Sequence, residues 1–106
     1  MTPGAIKDAL LGRVLMLIHE TEYERLEFMK DGLMVMATFG TKNGAVAAPA
    51  LYCTFRADGG ILMEYEPDDR IYALWSSVEI DDTNVRALVR RSSVDTPVRK
   101  TYEYVP

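Results

Sequence analysis

The chain has 106 residues, 48% of them apolar and 26% charged, with a net charge of -4. That balance excludes an intrinsically disordered chain and a general nucleic-acid binder, which needs a basic surface to meet phosphates. The length fits one domain, able to bury about two-thirds of its unfolded surface without disulfides or metal.

Other global features set the expected compartment. The single Cys53 has no partner for an internal disulfide, which fits a reducing environment. Lys7, Asp8 and Arg13 break up the first apolar stretch, so it does not read as a secretory signal. No apolar run approaches the roughly 20 residues of a membrane helix. A cytoplasmic protein with neither a nucleic-acid nor a membrane partner is expected.

The opening "TPGAIKDALLG" carries a helix start and stop. Thr2 suits the N-cap, Pro3 the first helical position and Gly12 the left-handed residue past the end, which predicts a helix over about 3–11 with Ile6, Ala9 and Leu10 as its apolar stripe. From about 13 to 105 the period is two. Short β-rich runs alternate with Gly, Asp, Pro and Asn clusters, the pattern of an antiparallel chain of about eight strands.

"RVLMLIHE" is apolar on both faces, as in a strand covered on both sides. In "MKDGLM", Asp31-Gly32 suits the tip of a two-residue hairpin. Phe28 then faces Val35, Leu26 faces Ala37 and Glu24 faces Phe39, while Met29, Met34 and Met36 fall on the opposite, outward side. In "FRADGGILM", a three-residue loop through Gly60 pairs Phe55 with Met63 and Cys53 with Tyr65. It keeps apolar residues together, where a two-residue loop would oppose them to Glu64 and Glu66. In "YALWSSVEIDDTNVRALVRR", the Asp81–Asn84 connection pairs Ile80 with Val85, Val78 with Ala87 and Ser76 with Val89 on the inward face. Trp75 and Leu88 then face outward. The last strand, "VRKTYEYV", places Val98, Lys100, Tyr102 and Tyr104 on one face.

Strands joined by short loops pair with their sequence neighbours, and closing such a meander removes its two open edges. The expected architecture is mainly β: an antiparallel up-and-down barrel, or a strongly curved meander, with a short N-terminal helix. "LLGRVLML", the two F-x-x-D-G hairpins at Phe28–Gly32 and Phe55–Gly59, "LWSSVEIDDTNVRALV" and "KTYEYV" together resemble the small lipocalin-like, or calycin, barrels. The likeness spans most of residues 1–106. It departs from the usual pattern just after Gly12, where Arg13 and Val14 stand in place of a tryptophan. The resemblance implies non-catalytic binding of a small, partly apolar ligand in the barrel interior.

An eight-stranded barrel either fills its interior or keeps room for one small molecule. Tyr65, Tyr72, Tyr102 and Tyr104, with Ser76 and Lys100 on the same side, are the candidate ligand-binding residues. The alternative is that their rings form the core. Met29, Met34, Met36, Trp75 and Leu88 on the outer face are the candidate interface of a homo-oligomer, since Met and aromatic residues are enriched in interface cores.

His19 is the sole imidazole, and no H-x-H or C-x-x-C pair accompanies it, so no metal site or cofactor is implied. It reads as a polar residue at a strand end before a turn; acid–base chemistry with Glu22 or Glu24 is the enzymatic alternative. Cys53 falls on an apolar face, as a structural thiol does. Arg86, Arg90, Arg91, Arg99 and Lys100 gather five of the twelve basic residues, a pattern that suits either a solvated face or anion binding.

Overall fold

A computed structural model describes residues 3–30, 34–42, 46–57, 60–65, 70–91 and 96–106. One helix, α1 (Pro3–Leu10), precedes eight strands: β1 (Val14–Leu17), β2 (Glu22–Phe28), β3 (Met34–Thr41), β4 (Val46–Arg56), β5 (Ile61–Tyr65), β6 (Ile71–Ile80), β7 (Asn84–Arg90) and β8 (Val98–Val105). Each strand pairs antiparallel with its neighbours in sequence, and β1 pairs with β8 to close the barrel.

Gly12 ends the helix at φ +77°, the left-handed conformation in which glycine carries no Cβ penalty. Its N–H reaches across to the Phe28 carbonyl at 2.8 Å, tying the helix end to the barrel wall. Ile6 and Leu10 are buried in the same cluster as Leu15, Leu26 and Phe28, so the helix stoppers the barrel end at which β1 begins. Thr2, the expected cap, and the Asp31-Gly32 turn lie outside the described residues.

Alternation of side chains along β2, β7 and the first half of β3 sorts them into core and surface. The β2–β3 register pairs Phe28 with Val35, Leu26 with Ala37 and Glu24 with Phe39, as the hairpin chemistry predicts. The β4–β5 register pairs Phe55 with Met63 and Cys53 with Tyr65, in agreement with the three-residue loop. On β4, the residues around Pro49 oppose a shorter stretch of β3 at a register shift between Ala37 and Phe39. Proline lacks the N–H that a regular ladder would need there.

β6 departs from the expected register. A bulge between Ser76 and Glu79, with Ser77 at φ 50°, shifts the β6–β7 pairing by one residue, so that Trp75 opposes Val89 and Ser76 opposes Leu88. Trp75 is therefore inside the barrel and 2% exposed, not on the outer face, while Ser76 is exposed and not inward. A second bulge, between Met63 and Glu64, sets Tyr72 between the Met63–Ala73 and Glu64–Ile71 pairs and buries it beside Ala73. One extra residue re-aims every side chain beyond it, and two bulges invert the parity of residues 73–76 alone.

Candidate binding site

Glu24 continues the inward series of Leu26 and Phe28, and it is the one buried charged side chain among the described residues. Such burial requires hydrogen-bonding partners. The Tyr102 hydroxyl of β8 donates to Oε1 at 2.6 Å, and the Tyr72 hydroxyl of β6 donates to Oε2 at 2.8 Å. Arg91 Nη2, just past β7, donates to Oε2 at 2.9 Å. The carboxylate thus ties three separate parts of the wall together at the end of the barrel opposite the helix.

Packing holds these partners in place. Tyr102 stacks on Trp75 with ring centroids 4.7 Å apart, and the Arg91 guanidinium lies 4.5 Å over the Tyr72 ring. Burial, followed by the nearby Glu24 charge, pushes both tyrosine hydroxyls well above their ordinary pKa, so they remain donors. Below this layer, Phe28 and Phe55 meet edge to face at 5.2 Å and side chains occupy the interior down to the helix.

Above the layer is a cavity of about 580 Å³, lined on its apolar side by Leu17, Ile18, Val89 and Val98 and on its polar side by Arg91, Lys100, Thr101, His19 and Glu22. The size falls within the roughly 300–1,000 Å³ of small-molecule pockets. Ile18 and Val98 at its rim are 49% and 56% exposed, two of the three large hydrophobic side chains most open to solvent among the described residues.

The expected ligand residues separate. Tyr72, Tyr102 and Lys100 come together around Glu24. Tyr104 lies at the helix end of the barrel, with the Arg13 guanidinium 3.9 Å over its ring, and does not join them. Ser76 is excluded by the bulge, and the Tyr65 side chain lies outside the described residues. Of the expected interface residues, Met29, Met34, Met36 and Leu88 are partly exposed, and Trp75 is in the core.

His19 serves the β1–β2 turn: its Nδ1 accepts the backbone N–H groups of Thr21 at 3.1 Å and Glu22 at 2.9 Å. The remaining ring nitrogen, Nε2, then carries the proton of the neutral ring. Cys53 is fully buried, and burial pushes its thiol up to about 11, as expected of a structural cysteine.

Arg91 and Glu24 are the pair that sequence reasoning did not bring together. The available signal was parity: Arg91 extends the inward series of Val85, Ala87 and Val89. Arg86, from the same basic cluster, turns outward instead, to Glu79 and Asp81 at 3.4 Å each.

The closed eight-stranded antiparallel barrel is consistent with a calycin-like fold. Set against known proteins, the chain matches no family model, no curated protein and no solved structure.

Proposed function

We propose that the protein is a lipocalin-like, non-catalytic binder that holds a small, partly apolar ligand at the open mouth of its barrel. The observation that carries this reading is the cavity itself: it couples an apolar wall and rim to polar groups converging from the β1–β2 turn, the start of β2, the end of β7 and β8. Packing below Glu24 supports a ligand position above the buried layer over one deep in the barrel.

Native mass spectrometry of the purified protein, before and after denaturation, tests the reading by releasing a ligand of defined mass. Val98→Trp, which fills the mouth from an exposed position, is expected to abolish retention of that mass without lowering the melting temperature. Retention unchanged in the variant would rule out this cavity.

A second reading, assembly through the outer face, is favoured by Tyr52. It is 50% exposed and pairs with Met36 beside the Met34–Thr54 pair. Sedimentation of Met36→Glu against the unmodified chain tests it; loss of an oligomer supports assembly through this face.

A further inference from the structure

Strand β1 stops short of its neighbour β8. The last backbone bond between them runs from the Ile18 N–H to the Thr101 carbonyl at 2.9 Å. Continued further, the register that sets Leu17 opposite Tyr102 would bring Glu20 opposite Arg99. The chain turns away first, because His19 Nδ1 takes the N–H groups of Thr21 at 3.1 Å and Glu22 at 2.9 Å. On that side β8 continues alone to Val98.

Main-chain groups of successive strand residues point to opposite sides, so Arg99 aims its N–H and C=O as Thr101 does, toward the place where β1 has ended. Among the described residues, neither group has a partner. Pro97, which has no N–H, closes this exposed edge two residues further on, so the template is short.

The mouth cavity lies along the same edge. Arg99, Lys100 and Thr101 all line it, although Lys100 shares the inward face of Tyr102 and its two neighbours share the outward face of Glu103. Leu17 and Ile18, at the end of β1, likewise contribute one buried and one exposed side chain. A slot beside a strand's edge meets both of its faces in this way.

The two faces differ in character. The lining cations Arg91, Arg99 and Lys100 stand against two carboxylates, Glu22 on the lining and Glu24 beneath it, which leaves one positive charge. Glu24 holds Arg91 at 2.9 Å, and Lys100 lies 3.9 Å from both Glu22 and Glu24. Arg99 is exposed and has no ion pair among the described residues, so the excess charge is on the outward side. The inward side is apolar, with Leu17, Val89 and Val98.

We propose that this slot binds an extended peptide segment of a partner protein, which adds to the edge of β8 where β1 has ended. An acidic side chain of the segment faces outward against Arg99, and β-branched apolar side chains on either side of it face inward against Leu17, Val89 and Val98. The Arg99 N–H donates to one peptide residue and the Arg99 carbonyl accepts from the same residue, the pattern of a hydrogen-bonded antiparallel pair. The inference rests on the binding function proposed above and gives its ligand a class.

The test is an NMR titration of the intact chain with Ac-Val-Asp-Val-Asp-Val-NH2, with its Lys-for-Asp counterpart, with the Asp peptide N-methylated at both Asp, and with 1-hexanol. The Asp peptide is expected to shift the amides of residues 17–19 and 98–101 and to slow hydrogen exchange at the Arg99 amide. N-methylation, which removes the donor to the Arg99 carbonyl, should weaken binding about two- to tenfold, the worth of one hydrogen bond. The Lys peptide should bind about three- to tenfold more weakly, and Arg99→Ala should cost the Asp peptide about two- to fivefold, the size of an exposed ion pair.

Peptide binding that leaves Arg99 exchange unchanged, or that ignores N-methylation, overturns the strand pairing. Equal binding of the Asp and Lys peptides overturns the acidic assignment. If neither peptide binds while 1-hexanol shifts residues 17–19 and 98–101, the inference fails and the small-molecule cavity stands. If none of the probes shifts them, both fail.

Discussion

The Tyr102 hydroxyl donates to Glu24 Oε1 at 2.6 Å across the barrel, joining β8 to β2 over the intervening β1. Ladder hydrogen bonds join only adjacent strands, so this contact and its Tyr72 counterpart at 2.8 Å brace the open end crosswise. Tyr102→Phe is expected to lower stability by about 1.5–3 kcal/mol, the range for a hydrogen bond to a charged group. Urea denaturation with an unchanged m-value checks it.

Glu24→Gln removes the charge that Arg91 meets at 2.9 Å. Breaking a fully buried pair costs about 3–5 kcal/mol, but the Arg91 side chain is 37% exposed and can recover water. A loss of about 2–3 kcal/mol is therefore expected. Adding Arg91→Met in the same chain should recover part of it, because no buried charge is then left unpaired. A double-mutant cycle read by denaturation measures the coupling; additive losses would contradict a direct pair.

Trp75 supplies a sharper contrast between alternatives. On an outward face, Trp75→Glu would leave the fold intact and separate subunits. In the core, 2% exposed and stacked on Tyr102, the same change buries an unpaired charge and is expected to unfold the domain. Tryptophan emission in the native protein should be blue-shifted and protected from iodide. Trp75→Phe should be mild for so large a residue, since the buried Nε1–H has no acceptor among the described residues.

Trp75 also shows why part of the site was hidden in the sequence. Turn chemistry and period-two patterning make most of the registers readable, including the parity that turns Glu24 inward. A bulge has no comparable signature. Ser76-Ser77 reads as ordinary strand, yet Ser77 at φ 50° absorbs one residue and inverts 73–76. The parity that turns Tyr72 inward fails at the next residue, Ala73, and it is the other bulge that keeps Tyr72 inside. The Glu24–Arg91 pair, 67 positions apart, depends on barrel closure, a long-range fact that no local pattern encodes.

Gly60 is fixed by the same strand. A Cβ built there would lie 2.4 Å from the Trp75 carbonyl oxygen, a backbone atom that cannot move aside cheaply. Gly60→Ala is expected to cost about 1–3 kcal/mol, the usual range for overpacking. Gly12→Ala meets nothing within 4 Å and carries only the left-handed backbone penalty, about 1–2 kcal/mol. Thermal melts of both variants separate the two causes: relief of Gly60→Ala by a smaller neighbour is not expected, because the clash is with backbone.

Asp81 gives the pH dependence its clearest single source. Its Oδ1 accepts the backbone N–H groups of Thr83 and Asn84 at 2.8 Å each and the Thr83 hydroxyl at 2.9 Å, closing the β6–β7 turn. These bonds, led by the Thr83 N–H, favour the ionised carboxylate and bring its pKa down to about 2. In the unfolded chain an aspartate titrates near about 3.9. The folded value is the lower one, so the contribution is fully present above the unfolded value and disappears as pH falls through the folded one. The melting temperature is therefore expected to fall between about pH 4 and pH 2, and Asp81→Asn should flatten that part of the profile while retaining an acceptor for the turn. An identical acid slope in Asp81→Asn would move its origin elsewhere in the barrel.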